Sequence, residues 1–126
     1  MYEAVACGGI IVSLGEFILQ KRRGVGLSLR KLALDSDISA TYLSDIESGR
    51  KNNVSGDVLE KLSKALNLSE PEREEMYTLV GQENNTIPID VQEFVKQHPD
   101  VLNFLREVKR GNHKEWLNNI ENNENA

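Results

Sequence analysis

The chain has a single cysteine, two histidines and no apolar run long enough to cross a bilayer. One cysteine, Cys7, excludes an intrachain disulfide, which suits a reducing cytoplasm. With only His98 and His113 beside it, no structural zinc site of the usual four-ligand kind can be assembled, and no metal or cofactor is expected. The histidines are also far from Cys7 in sequence, and neither a Gly-rich phosphate loop nor a nucleophile elbow is present, so an enzyme is not expected. The apolar start, Ala4 to Val12, is too short to span a membrane and has no Lys or Arg before it. Residues 1–12 therefore read as an N-terminal extension forming a small strand, an arm or a tail.

Positive charge is scarce as well, since 15 Lys and Arg face 20 Asp and Glu for a net charge of -5. The imbalance is unevenly spread. Residues 13–66 carry nine basic and seven acidic side chains, while residues 67–126 carry six and twelve. Any attraction for phosphate belongs to the first half, and from one copy it is weak.

Helix signals run through residues 13–81. Ser13 with Glu16 has the spacing of a capping box, ahead of Leu14, Phe17 and Ile18 on one stripe; Lys21, Arg22 and Arg23 suit the negative end of that helix, and Gly24 and Gly26 stop it. Ser28 caps a second helix with Leu29, Leu32 and Ala33 inward. Asp37, which tolerates the left-handed conformation, stands at a sharp turn plugged by Ile38. Ser39 then caps a third helix whose apolar stripe is only Leu43 and Ile46 before Gly49 ends it. Ala40, Thr41, Tyr42, Ser44, Asp45 and Ser48 are left pointing away, so the pair reads as a helix-turn-helix. A fourth helix starts at Ser55 and buries Val58, Leu59, Leu62, Ala65 and Leu66. A second capping box, Ser69 with Glu72, opens a fifth that packs Met76, Tyr77, Leu79 and Val80 and that Gly81 is expected to close.

Residues 82–89 read as a linker, after which the pattern restarts. Asp90 with Glu93 is expected to cap a helix carrying Val91, Phe94 and Val95. Pro99 and Asp100 begin another with Val101, Leu102, Phe104, Leu105 and Val108, ended by Gly111; a last short one holds Trp116, Leu117 and Ile120. Three such pieces, within residues 90–126, are too small for a core of their own. Their apolar residues Phe94, Phe104, Leu105 and Trp116, with Tyr77 and Val80 of the fifth helix, are accordingly expected at a homodimer interface.

In its particulars the chain resembles the Cro/repressor-like, XRE-type helix-turn-helix regulators of bacteria and their phages. The resemblance lies in Leu32-Ala33, Ile38-Ser39, Tyr42-Leu43-Ser44 and Ile46-Glu47-x-Gly49-Arg50. Outward it reaches Leu14-Gly15-Glu16-Phe17-Ile18 and Leu59-x-x-Leu62-x-x-Ala65-Leu66-Asn67-Leu68, covering roughly residues 13–81. It implies an all-α, five-helix, lambda-repressor-like domain with a C-terminal helical extension, binding double-stranded DNA as a transcriptional regulator. Asp37 departs from the family's usual Gly, and Ala40 and Asp45 stand where amide side chains are common, so no base sequence carries over.

What the resemblance implies for the site is specific. Ala40, Thr41, Tyr42, Ser44 and Asp45 fall at base-contact positions: Ala40 and the Thr41 methyl suit a thymine methyl, and Asp45 suits a cytosine amino group. Ser28, Arg50, Lys51, Asn52 and Asn53 fall where phosphates are held. Arg22 and Glu47 fall where family members pair across the first and third helices. The competing expectation is an antitoxin-like or adaptor protein, acting mainly through a protein partner held by the acidic tail half.

Overall fold

Serine opens each of the first five helices, and in each its hydroxyl accepts the backbone N–H three residues on, at 3.0 to 3.4 Å. In the computed structural model, which describes residues 5–6 and 10–111 and side chains from Val12 onward, these helices are α1 (Leu14–Gly24), α2 (Leu29–Asp35), α3 (Ala40–Ser48), α4 (Gly56–Ala65) and α5 (Glu70–Asn84). Only α5 shows the full reciprocal box, with the Ser69 amide donating to Glu72 Oε1 at 2.9 Å. The α1 terminus gains a distant cap instead, because the Leu14 amide donates to Glu83 Oε1 of α5 at 2.8 Å.

Four of the five helices also end alike. Gly26, Asp37, Asn67 and Asn85 adopt left-handed φ values of 53 to 73°, and the next amide reaches back five residues to a helical carbonyl: Leu27 to Arg22, Ile38 to Ala33, Leu68 to Ser63 and Thr86 to Gly81. Leu27, Ile38 and Leu68, placed just past these turns, pack against the core and fix where each next helix begins. Asp37 therefore makes the sharp turn in the left-handed conformation expected of it. The core itself is Leu14, Ile18, Leu32, Leu43, Ile46, Leu59, Leu62, Met76 and Leu79, each sealed from solvent.

The fold is all-α as expected, with one small addition. Strands β1 (Val5–Ala6) and β2 (Ile10–Ile11) form an antiparallel two-residue ladder, Val5 opposite Ile11 and Ala6 opposite Ile10. No helix among the described residues is long and apolar enough to cross a membrane.

Three expectations are corrected. Gly81 does not close α5, which continues to Asn84 and ends on left-handed Asn85. A side chain at Gly81 would meet Thr86 O at 2.8 Å and Pro88 N at 3.2 Å, so this glycine serves the close return of the chain over the helix. Asp90 is not a cap but lies in the first turn of α6 (Ile89–Gln97). Tyr77 and Val80, 9% and 4% exposed, belong to the core and offer nothing to a second chain.

The chain divides after Asp90 into two units. In the second, Pro99 opens α7 (Pro99–Lys109), preceded by His98, whose ring stacks on Phe94 with centroids 4.4 Å apart. Neither α6 nor α7 has a buried residue, and Phe94, Leu105 and Phe104 are 52%, 43% and 38% exposed. Trp116, Leu117 and Ile120 lie outside the described residues, as do Cys7 and His113.

Candidate nucleic-acid interface

Helix α3 is held from behind. Leu43 and Ile46 are 0% and 1% exposed, and α1 crosses so closely that a Cβ on Gly15 would sit 2.5 Å from the carbonyl oxygens of both Ile46 and Glu47. Only glycine permits that approach. Arg22 of α1 then clamps the C-terminal half: its Nε donates to Glu47 Oε2 at 2.8 Å, Nη2 to Glu47 Oε1 at 3.0 Å, and Nη1 to the Leu27 carbonyl at 3.0 Å. The fork is mostly buried, and the Glu47 carboxylate raises the Arg22 pKa above its ordinary value despite the opposing cost of burial. Removing one partner of such a pair strands the other charge, so its role is to fix geometry. The predicted pairing of Arg22 with Glu47 is present.

With that side immobilised, the opposite face of α3 presents Thr41, Ser44, Asp45 and Ser48 at i, i+3, i+4 and i+7. Thr41 and Ser48 are exposed, and Ser44 and Asp45 half-buried. Ala40 and Tyr42 lie at the margin, both packed in part against the core. The Tyr42 ring also receives Lys51, whose Nζ stands 6.0 Å from its centroid.

Gly49, at φ 85°, turns the chain out of α3 and back alongside it. The Lys51 amide donates to the Asp45 carbonyl at 3.0 Å, the Ser48 hydroxyl donates to the same oxygen at 3.2 Å, and Arg50 Nε donates to Asp45 Oδ1 at 3.0 Å. Two residues assigned to separate tasks from sequence, Asp45 to a base and Arg50 to a phosphate, are thus in direct contact. Asn52 and Asn53 are exposed beyond them, with the loop moored where Asn84 Nδ2 donates to the Asn52 carbonyl at 2.9 Å. Ser28 is exposed at the opening of α2, its hydroxyl oxygen accepting the Lys31 amide. Among the described residues no group of three His, Cys, Asp or Glu is placed to hold a metal ion.

Gly15, the Asp45–Arg50 pair and the Glu83 cap were not assigned these roles from sequence. The five-residue separation of Asp45 and Arg50 across a glycine is the one signal available for the pair, and it is faint.

The helix-turn-helix family matches residues 18–73. Over 40 residues the chain is 55% identical to control protein C.BamHI of Bacillus amyloliquefaciens, a stretch covering 32% of this chain and 48% of that protein. The chain thus spans about half the length of the curated relative it matches. A crystal structure of SinR, the master regulator for biofilm formation, in complex with DNA is 38% identical and has a TM-score of 0.44, covering 46% of this chain and 95% of that one. The SinR protein/SinI protein complex is 28% identical with a TM-score of 0.45, covering 77% and 98%.

Proposed function

Because this chain belongs to the XRE-type helix-turn-helix family of DNA-binding transcriptional regulators, we propose that it reads a specific double-stranded DNA site by laying α3 in the major groove. One observation carries this: α3 is sealed and clamped on its inner face while Thr41, Ser44, Asp45 and Ser48 form a polar stripe facing out. A helix of that width fits the major groove, where base edges display distinguishable donors, acceptors and methyls. Thr41 and Ser44 are the central readers, flanked by Ala40 and Tyr42. Ser28, Lys51, Asn52 and Asn53 hold phosphates, and Asp45 and Arg50 enter the groove as a pair.

The protein acts as a homodimer, through Phe94, Phe104 and Leu105 together with Trp116, and works in the cytoplasm where its DNA is. Selection of bound sequences from a random double-stranded library tests the reading. Enrichment of a two-fold site is expected, with half-sites about one helical turn, roughly 34 Å, apart. Thr41→Ala should alter preference at one or two positions by about 1–3 kcal/mol with an unchanged thermal melt. A library that returns unenriched overturns DNA reading and favours the adaptor.

A further inference from the structure

The geometry points to Asp45 and Arg50 as one recognition unit, in which Asp45 orients Arg50 so that its two terminal nitrogens read a guanine edge in the major groove. This rests on the DNA-binding reading above and names a base within it.

Arg50 belongs to the loop after α3, a place from which a flexible cationic side chain would ordinarily reach a phosphate. Its Nε instead lies 3.0 Å from Asp45 Oδ1, and Asp45 stands on the outward stripe one turn beyond Thr41. The guanidinium is therefore drawn out of the loop and back onto the reading face. The turn that carries it is tied to the same residue through the main chain, since the Lys51 amide and the Ser48 hydroxyl both donate to the Asp45 carbonyl. Left-handed Gly49 makes that return possible.

The consequence is directional. A guanidinium has five N–H donors in one plane, and giving the Nε hydrogen to a carboxylate leaves four on the two terminal nitrogens, aimed as a parallel pair. Guanine, with O6 and N7, is the base whose major-groove edge offers two adjacent acceptors. Adenine pairs an acceptor with an amino donor, and thymine an acceptor with a methyl. Asp45, its Oδ1 engaged by Arg50, acts as a positioning residue. An ion pair 67% and 38% exposed contributes little to folding, so its effect is on where Arg50 points.

Full-length wild type, Arg50→Ala, Arg50→Lys, Asp45→Ala, Asp45→Asn and the double Ala variant are compared. Each is titrated with the selected site and with versions in which each guanine is replaced by adenine. In wild type, one guanine per half-site should be worth about tenfold or more in affinity. Arg50→Ala should erase that preference, whereas Arg50→Lys, whose ammonium can still donate to O6 and N7 but has no Nε for Asp45 to orient, should weaken it without erasing it. Asp45→Ala should erase most of it, and the double variant should discriminate no worse than Arg50→Ala alone. Asp45→Asn, which keeps an acceptor oxygen, should retain part. Ratios between sites cancel the uniform gain from removing a negative charge near phosphate, and matching thermal melts exclude a folding effect.

Three results overturn the pairing while leaving DNA reading intact: Arg50→Ala weakening every sequence by one factor, Asp45→Ala changing preference where Arg50→Ala does not, or Asp45→Ala leaving the guanine preference whole. A wild-type protein that enriches no sequence overturns both.

Discussion

A methyl group added to Gly15 would meet main-chain oxygens of Ile46 and Glu47 at 2.5 Å, and neither can swing aside as a side chain would. Helices α1 and α3 must then separate. Gly15→Ala should cost about 1–3 kcal/mol or more in thermal or urea unfolding and, by tilting α3, weaken DNA binding beyond what the lost stability explains. Gly24→Ala is the matched control, because nothing lies within 4 Å of its added carbon; it should be neutral or slightly stabilising. Equal effects at the two positions would refute the close crossing. Residue-scale features of this kind were the least legible in the sequence. Periodicity shows which side of α1 is apolar but not that another helix's carbonyls touch it, and the contact of Asp45 with Arg50 depends on a turn whose path no spacing rule supplies.

Between elements, α1 and α5 are joined by charge as well as through the shared core, to which they give Leu14 and Phe17, and Met76 and Leu79. Lys21 of α1 bonds Glu72 of α5 while its Nζ lies 5.4 Å from the Phe17 ring centroid. The Lys21 hydrogen bond chiefly, with the Ser69 amide and hydroxyl after it, holds the Glu72 carboxyl down at about 2 from an ordinary 4.5, against a smaller upward push from burial. A carboxyl whose pKa is lower folded than unfolded stabilises the fold above the unfolded value and stops doing so as pH falls through the folded one. The Glu72 contribution should therefore be whole above pH 4.5 and fade between there and about 2. Both side chains are about a third exposed, so the effect is modest. Urea midpoints at pH 7, 4.5 and 3 should fall more steeply for wild type than for Glu72→Gln, which should also be slightly weaker at pH 7. Parallel curves would mean the pair contributes nothing.

Helix starts were legible because each of the five begins on a serine, a local device that needs no tertiary information. Ends were legible where a left-handed residue follows the last apolar position, as at Gly26 and Asp37. The rule failed at Gly81, where glycine serves a returning chain and Asn85 performs the stop.

At the scale of the molecule, the acidic total conceals a first half with nine basic and seven acidic side chains. If α3 reads the major groove as proposed, an excess of two would hold one copy to DNA only weakly and a single α3 would touch few bases, so useful specificity would call for two copies fixed to each other. With Tyr77 and Val80 buried in the core, the surface for that contact narrows to the second unit, where Phe94, Leu105 and Phe104 stay substantially exposed on helices with no buried residue of their own. A two-fold contact would remove the same apolar residues of both chains from water, at roughly 25 cal/mol for each Å² covered. The full chain should sediment as a dimer. Phe94→Asp with Leu105→Asp should shift it to monomer, and the first unit should keep its melt because those side chains are not part of its core. Affinity for the two-fold site should then fall steeply and become concentration-dependent, whereas the base preference within each half-site persists, since α3 and its clamp are untouched. A wild-type monomer that binds the two-fold site tightly would remove the need for the apolar contact altogether.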